Sequence, residues 1–201
     1  MKKNEYTKLL LATSFKELLQ TIPLKRITVQ NIVEHCGLNR GTFYYHFYEK
    51  QDLIHWIYHH DITEPTRAIL QKDPSEWGGI SLFGLELMLK DKKLYLQAIK
   101  EEGPNNLTAY IKNEITENWN ILVQRYTEVF HSGKNSTELV FFAEFVANGA
   151  WATLIKWIDT GMRESPEVLS NLIDTIAAYS MEAVALRTGQ APSSVPGTFS
   201  S

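Results

Sequence analysis

The chain has 201 residues, 44% of them hydrophobic and 21% charged, enough apolar material for a sizeable core and too much for a disordered chain. Cys36 is the only cysteine, which excludes a disulfide framework and fits a reducing compartment, so a cytoplasmic protein is expected. The net charge of −3 speaks against a nucleic-acid binder at first, but residues 1–60 carry eight Lys and Arg against five Asp and Glu, leaving twelve against eighteen for the rest. A mildly basic head on an acidic body is the pattern of a head that meets polyanions and a body that does something else.

The elements read as helices throughout. Met1 to Tyr6 is basic, but only Leu9 to Ala12 is apolar behind it, too short for a secretory signal. No apolar run approaches the roughly 20 residues of a membrane span, so no membrane partner is expected. Leu11, Phe15, Leu18 and Ile22 line one face of a first helix that Pro23 ends. Thr28 is the N-cap of a short second helix closed by Gly37, and Asn39 caps a third through about Phe47. A fourth runs from about Lys50 to Asp73. Asp73-Pro74-Ser75 opens a fifth to about Lys90, and Asp91 caps a sixth to about Lys100. After the break Gly103 to Asn106 come a helix over about 106–130, one from Ser136 or Thr137 to Thr160-Gly161, and one from Ser165-Pro166-Glu167 to Thr188-Gly189. That makes nine helices and no strand. Ala191 to Ser201 is small, polar and Pro-rich, the composition of a disordered tail.

Thr28 to Leu53, TVQNIVEHCGLNRGTFYYHFYEKQDL, carries the chemistry. It reads as a helix, a tight turn at Cys36-Gly37-Leu38 and a second short helix. Val29, Ile32, Val33, Leu38 and Phe43 form the small core between them, with Phe47. Arg40, Thr42, Tyr44, Tyr45 and His46 are left facing outward, where a solvated helix usually shows Lys and Glu. Guanidinium, hydroxyl and imidazole groups are donors to phosphates and base edges. Gly41, poor for helix stability, lets backbone come close to something. A helix-turn-helix puts such a second helix in the major groove of DNA.

This segment resembles the DNA-binding domain of the TetR family, whose signature is close to G-[LV]-x-x-[GP]-[TS]-[LF]-Y-x-H-F-x-x-K-x-x-L. Gly37, Leu38, Gly41, Thr42, Phe43, Tyr44, His46, Phe47, Lys50 and Leu53 match it in place. The likeness covers residues 5–60 strongly; beyond them it is architectural. Phe145 to Ala150, with Trp157 ahead of Gly161, is similar to the subgroup related to dihydroxyacetone-kinase regulators. The resemblance implies that Arg40 and Thr42 meet bases or nearby phosphates. It gives phosphates to Tyr44, His46, Lys50 and Thr28, and a thymine methyl or a sugar to Tyr45.

Further groups stand outside the motif. His55 and His59 share a helix face at metal-ligand spacing; no metal is expected there, since two His on an aromatic helix are a thin ligand set. Trp56, His59, His60, Trp119, Phe145 and Trp151 are the candidates for an effector pocket in the body. Ala143, Ala147, Ala150 and Leu154 on the eighth helix, and Val168, Leu172, Ile176, Tyr179 and Ala183 on the ninth, form stripes expected to pair with a second copy. No Gly-rich phosphate loop, Glu-x-x-His pair or nucleophile with a base occurs, so neither enzyme nor cofactor is expected.

The expectation is therefore an all-α, nine-helix TetR-like fold. Residues 1–50 form the helix-turn-helix domain, 51–189 the effector-binding and dimerisation domain, and 190–201 the tail. The resemblance implies a homodimeric regulator, a repressor or an activator, on a palindromic operator in double-stranded DNA and responsive to a small-molecule effector. The alternative is a coactivator that works through a partner protein.

Overall fold

The structure is a computed structural model that describes residues 3–72, 79–130 and 137–187. Among these it contains nine α-helices and no strand. Helix α1 is Lys3–Leu18, α2 Val29–His35 and α3 Arg40–His46. Helix α4 is one rod: Lys50–Tyr58 passes through a π-helical turn, His59–Thr63, into Glu64–Lys72. Then follow α5 Ile80–Lys90, α6 Lys92–Ala98, α7 Leu107–Phe130, α8 Thr137–Asp159 and α9 Pro166–Arg187. Asp73 to Ser75, Trp77, Ser136 and the tail at 190–201 lie outside the described residues, as do the side chains of Tyr126, Phe130 and Ala183.

The caps explain most of the boundaries. Thr28 Oγ1 accepts from Asn31 N at 3.2 Å while Asn31 Oδ1 accepts from Thr28 N at 2.9 Å, a reciprocal cap on α2. Asn39 Oδ1 accepts from Thr42 N at 2.8 Å on α3. Gly37 takes φ +69°, and Leu38 N closes the end of α2 on the Val33 carbonyl at 2.8 Å. Helix α1 stops at Leu18, four residues short of Ile22. Thr21 and Ile22 are β-branched, and the residue before Pro23 is disfavoured in the α region. Asp91 offers α6 no side-chain cap, because its carboxylate is engaged by Lys16 instead.

The head and the body are not separate globules. Leu11, Phe15, Ile32, Phe43 and Leu53 bury between α1–α3 and the start of α4, and the same cluster runs on through Ile57, Met88, Tyr95, Ile111 and Ile158. Helices α7 and α8 pair along the most extensive contact in the chain. Ala143 and Ala147 are fully buried in it, within a second cluster with Trp119, Leu122 and Phe142. This corrects the reading of α8: its small-residue stripe packs inside the chain, letting two long helices approach closely. What α8 leaves outside is Val140, Phe141 and Phe145, and α9 leaves Val168, Leu172, Ile176 and Tyr179. The outer and inner apolar faces together make Leu139–Asp159 long and apolar enough to cross a membrane by length and composition. The helix belongs to the bundle, so two apolar faces account for its composition.

Candidate nucleic-acid interface and the body behind it

Helix α3 presents the outward residues on a rigid base. Phe43 and Phe47 anchor it in the core, their rings 5.7 Å apart. On the other side Tyr44 and Tyr45 are exposed, Tyr45 to 74%. Arg40 is exposed too; its guanidinium lies over the Tyr44 ring at 5.7 Å and donates to the Tyr44 hydroxyl at 3.3 Å. One turn separates the two, so the tyrosine holds the arginine's fork in place before any ligand arrives. Gly41 has a local reason: a Cβ there would stand 3.1 Å from Asn39 Oδ1, crowding the oxygen that caps the helix. Thr42 Oγ1 also bonds Asn39 Oδ1, at 3.2 Å, and is partly exposed.

His46 is partly buried at the end of α3, edge-on to Tyr45. Burial lowers its pKa, and Lys8 adds to that against a weaker opposing pull from Glu5. Thr28 is exposed at the start of α2, with Lys25 and Arg26 just ahead of it. Lys50 is different. Its ammonium is partly buried and donates to the Leu24 carbonyl at 2.8 Å and the Ile27 carbonyl at 3.2 Å. Two of its three donors are thus used inside the head, tying the start of α4 to the turn before α2. Tyr48, 87% exposed between α3 and α4, was not singled out in the sequence, because a tyrosine beside a Phe core position reads as packing.

Behind the head, α4, α5, α7, α8 and α9 enclose a cavity of about 130 Å³. Its walls are mainly apolar, with Ile62, Leu70, Leu85, Met88 and Leu154 prominent. Asp174 of α9 stands at its edge, buried, accepting from Ser81 Oγ at 2.8 Å, Gly79 N at 3.3 Å and Ser170 Oγ at 3.3 Å. Burial raises its pKa against the lowering by those three donors. The carboxylate caps the start of α5 from another helix and joins α5 to α9.

Of the six residues expected around a pocket, Trp119 lines this cavity and the other five do not. Trp56 and His60 stack on each other, ring centroids 4.8 Å apart, with Lys8 over Trp56. His59 reaches Glu64 and Glu114, each at 3.7 Å. Trp151 donates to the Thr108 carbonyl at 3.0 Å and carries Lys112 over its ring. Phe145 is 75% exposed. His55 is buried flat against Tyr110 at 4.3 Å with Nε2 unpartnered, and burial lowers its pKa against opposing pulls from Asp52 and Glu49. Among the described residues no group of three His, Cys, Asp or Glu side chains gathers to hold a metal.

Known proteins match this arrangement in both parts. Residues 16–57 match the family described as bacterial regulatory proteins, tetR family, and residues 75–179 match a family described as transcriptional regulator C-terminal region. A 64-residue stretch is 34% identical to the HTH-type dhaKLM operon transcriptional activator DhaS of Lactococcus lactis subsp. lactis (strain IL1403), covering 32% of this chain and 34% of that protein. The match thus spans about a third of the relative's length. The solved structure of the dihydroxyacetone kinase operon activator DhaS superposes with a TM-score of 0.70 at 20% identity, over 88% of this chain and 97% of that one. A TetR transcriptional regulator from Streptococcus agalactiae gives 0.53 at 19% identity, over 87% and 95%. With a helix-turn-helix head that matches one family and a helical body that matches the other, the chain belongs to the TetR family of DNA-binding transcriptional regulators.

Proposed function

We propose that the protein acts in the cytoplasm as a homodimer on a two-fold-symmetric operator. The α3 helix of each copy enters a major groove, with Arg40, Thr42, Tyr44 and Tyr45 at bases and backbone and His46 and Thr28 at phosphates. Tyr48, Lys25 and Arg26 join them at the edge. Lys50 is a positioning residue in this reading. The carrying observation is the Arg40–Tyr44 pair, an exposed, preordered fork on a helix whose other side is bolted to the core. Pairing between copies runs through the exposed stripes of α8 and α9, where seven large apolar side chains face solvent in a single chain. The body's cavity takes a small, largely apolar effector, on the evidence of its walls. Residues 1–50 act as the DNA-binding unit and 51–189 as the effector and pairing unit. The output is activation of an operon, by likeness to the operon activator DhaS.

Selection from a random duplex pool tests this. It should return a symmetric sequence with half-sites about 34–36 Å apart, one turn of DNA. An asymmetric sequence would reject the dimeric reading. A second reading replaces the small molecule by a partner protein; the similarity to operon activators is what favours it. Response to a cell extract, lost on removing its proteins and kept on removing its small molecules, would choose that reading.

A further inference from the structure

Head and body meet around one ammonium. Lys16, in the last turn of α1, donates to Asp61 Oδ2 at 2.6 Å and to Asp91 Oδ2 at 2.5 Å, with all three side chains mostly buried. Burial pulls the ammonium toward neutrality, and the bonds to the two carboxylates more than reverse that, so its pKa stands above the ordinary lysine value. Asp61 is held on its other oxygen by His60 Nδ1 at 2.8 Å.

The two carboxylates belong to different walls of the body cavity. Asp61 lies in the π-helical turn of α4, and its neighbour Ile62 lines the cavity. Asp91 closes α5, whose Gly84, Leu85 and Met88 line it from the facing side. The walls touch where Gly84 leaves room: a Cβ there would stand 3.6 Å from Ile62 Cγ2. Lys16 belongs to the head, because Ser14 Oγ donates to the Ile32 carbonyl of α2 at 2.7 Å and Leu11 and Phe15 are fully buried in the head's core. Two other polar ties of the head reach only one element of the body. Leu24 N donates to Gln97 Oε1 at 2.8 Å and Lys93 Nζ to the Gln20 carbonyl at 2.9 Å, and both engage α6 alone.

We propose that Lys16 is the positioning residue through which the cavity sets the placement of the DNA-binding head. One ammonium bonded to two walls reads the distance between them. When the π-helical turn and α5 move apart, Asp61 and Asp91 separate, and the lysine must abandon one or carry α1 with it. Packed elements with two discrete arrangements convert such small shifts into larger ones. This rests on the reading that the cavity governs DNA binding, but its test needs no effector.

The test is a cycle of four proteins: wild type, Lys16→Met, Gly84→Val, and the double variant. The valine is a wedge between the walls. Affinity for the duplex selected in vitro is measured by fluorescence anisotropy, with thermal melts to establish that each protein is folded. Gly84→Val should change affinity by about tenfold in the wild-type background and by less than about twofold beside Lys16→Met. Lys16→Arg, which keeps the charge and reach, should preserve the response. Equal factors in the two backgrounds overturn the proposal, as does a folded Gly84→Val protein with unchanged affinity. A Cβ alone would only reach ordinary contact with Ile62, so if valine prevents folding the gentler wedge is Gly84→Cys, which adds one atom beyond Cβ, with about threefold expected and the same two refuting results. Failure to find any effector would count against the effector reading and leave these ratios unchanged.

Discussion

Replacing Lys50 by Met separates two roles for one ammonium. As a phosphate contact, Lys50 would add to DNA binding and nothing to the free protein. In the structure it donates to the Leu24 and Ile27 carbonyls, which end the short turn before α2. Hydrogen bonds to charged groups contribute about 1.5–3 kcal/mol each. Two such bonds span about 3–6 kcal/mol, but the ammonium is only partly buried and its desolvation lowers its pKa, so the pair together should contribute about 2–3 kcal/mol, below that span. In a chain of this size each kcal/mol moves the melting temperature by about 2–4 °C. Lys50→Met should therefore melt about 5–10 °C below wild type while keeping its helical spectrum. DNA binding should weaken for all sequences alike, with an unchanged slope of log Kd against log salt. Loss of a phosphate contact would instead reduce that slope by about 0.9. An unchanged melting temperature with a slope reduced by about 0.9 would refute the positioning role.

The other expectations are more direct. Arg40→Ala should cost about 1–3 kcal/mol on the selected operator and relax preference at one base position, read by anisotropy against single-base variants of that site. Tyr44→Phe, which removes the acceptor for Arg40, should give a smaller loss at the same position. Phe145→Glu puts a charge on an exposed side chain and should give folded monomers by light scattering, whereas Ala147→Arg should fail to fold, because Ala147 is buried within the chain. A folded Phe145→Glu dimer would exclude that face. For His55 the sign runs one way: burial lowers its folded pKa below 6.5, so the unfolded chain binds the proton more tightly. Its contribution is present above pH 6.5 and is lost as pH falls through that value toward the folded pKa. Melts between pH 7.5 and about 5 should show the decline, and His55→Phe, which keeps a ring against Tyr110, should flatten it.

The head was legible because its signals are local. Thr28, Asn39 and Gly37 act within four residues of themselves, and caps and turns of that kind follow from side-chain reach and backbone sterics alone. The same locality let Tyr44 and Tyr45 be read as outward once Phe43 and Phe47 were given to the core. Lys50 was harder. Its partners are the Leu24 and Ile27 carbonyls, more than twenty residues back in the chain, and no spacing rule reaches them. On helix α8 two apolar stripes compete. Ala143 and Ala147 suit any close helix contact, and only the fold reveals that α7 takes that contact, leaving Phe141 and Phe145 outside.

The cavity escaped for a geometric reason. Tyr58, Ile62, Thr66 and Leu70 all line it, and they step by four along α4. In a regular helix four residues turn about 400°, so each step overshoots the face by about 40° and three steps would carry the last residue well around the rod. The π-helical turn at His59–Thr63 is wider and takes back part of the overshoot, keeping all four residues on one wall. A 3.6-residue period read from the sequence has no such turn. The pocket candidates Trp56 and His60, picked for their aromatic and hydrogen-bonding chemistry, do stack on each other, but on the side toward Lys8 of α1. The π-helical turn also presents Asp61 to Lys16 next to Ile62 in the cavity wall, so one irregularity both shapes the cavity and joins it to the head. Irregular turns of this type recur at functional sites, and here the reason is visible in the contacts it makes possible.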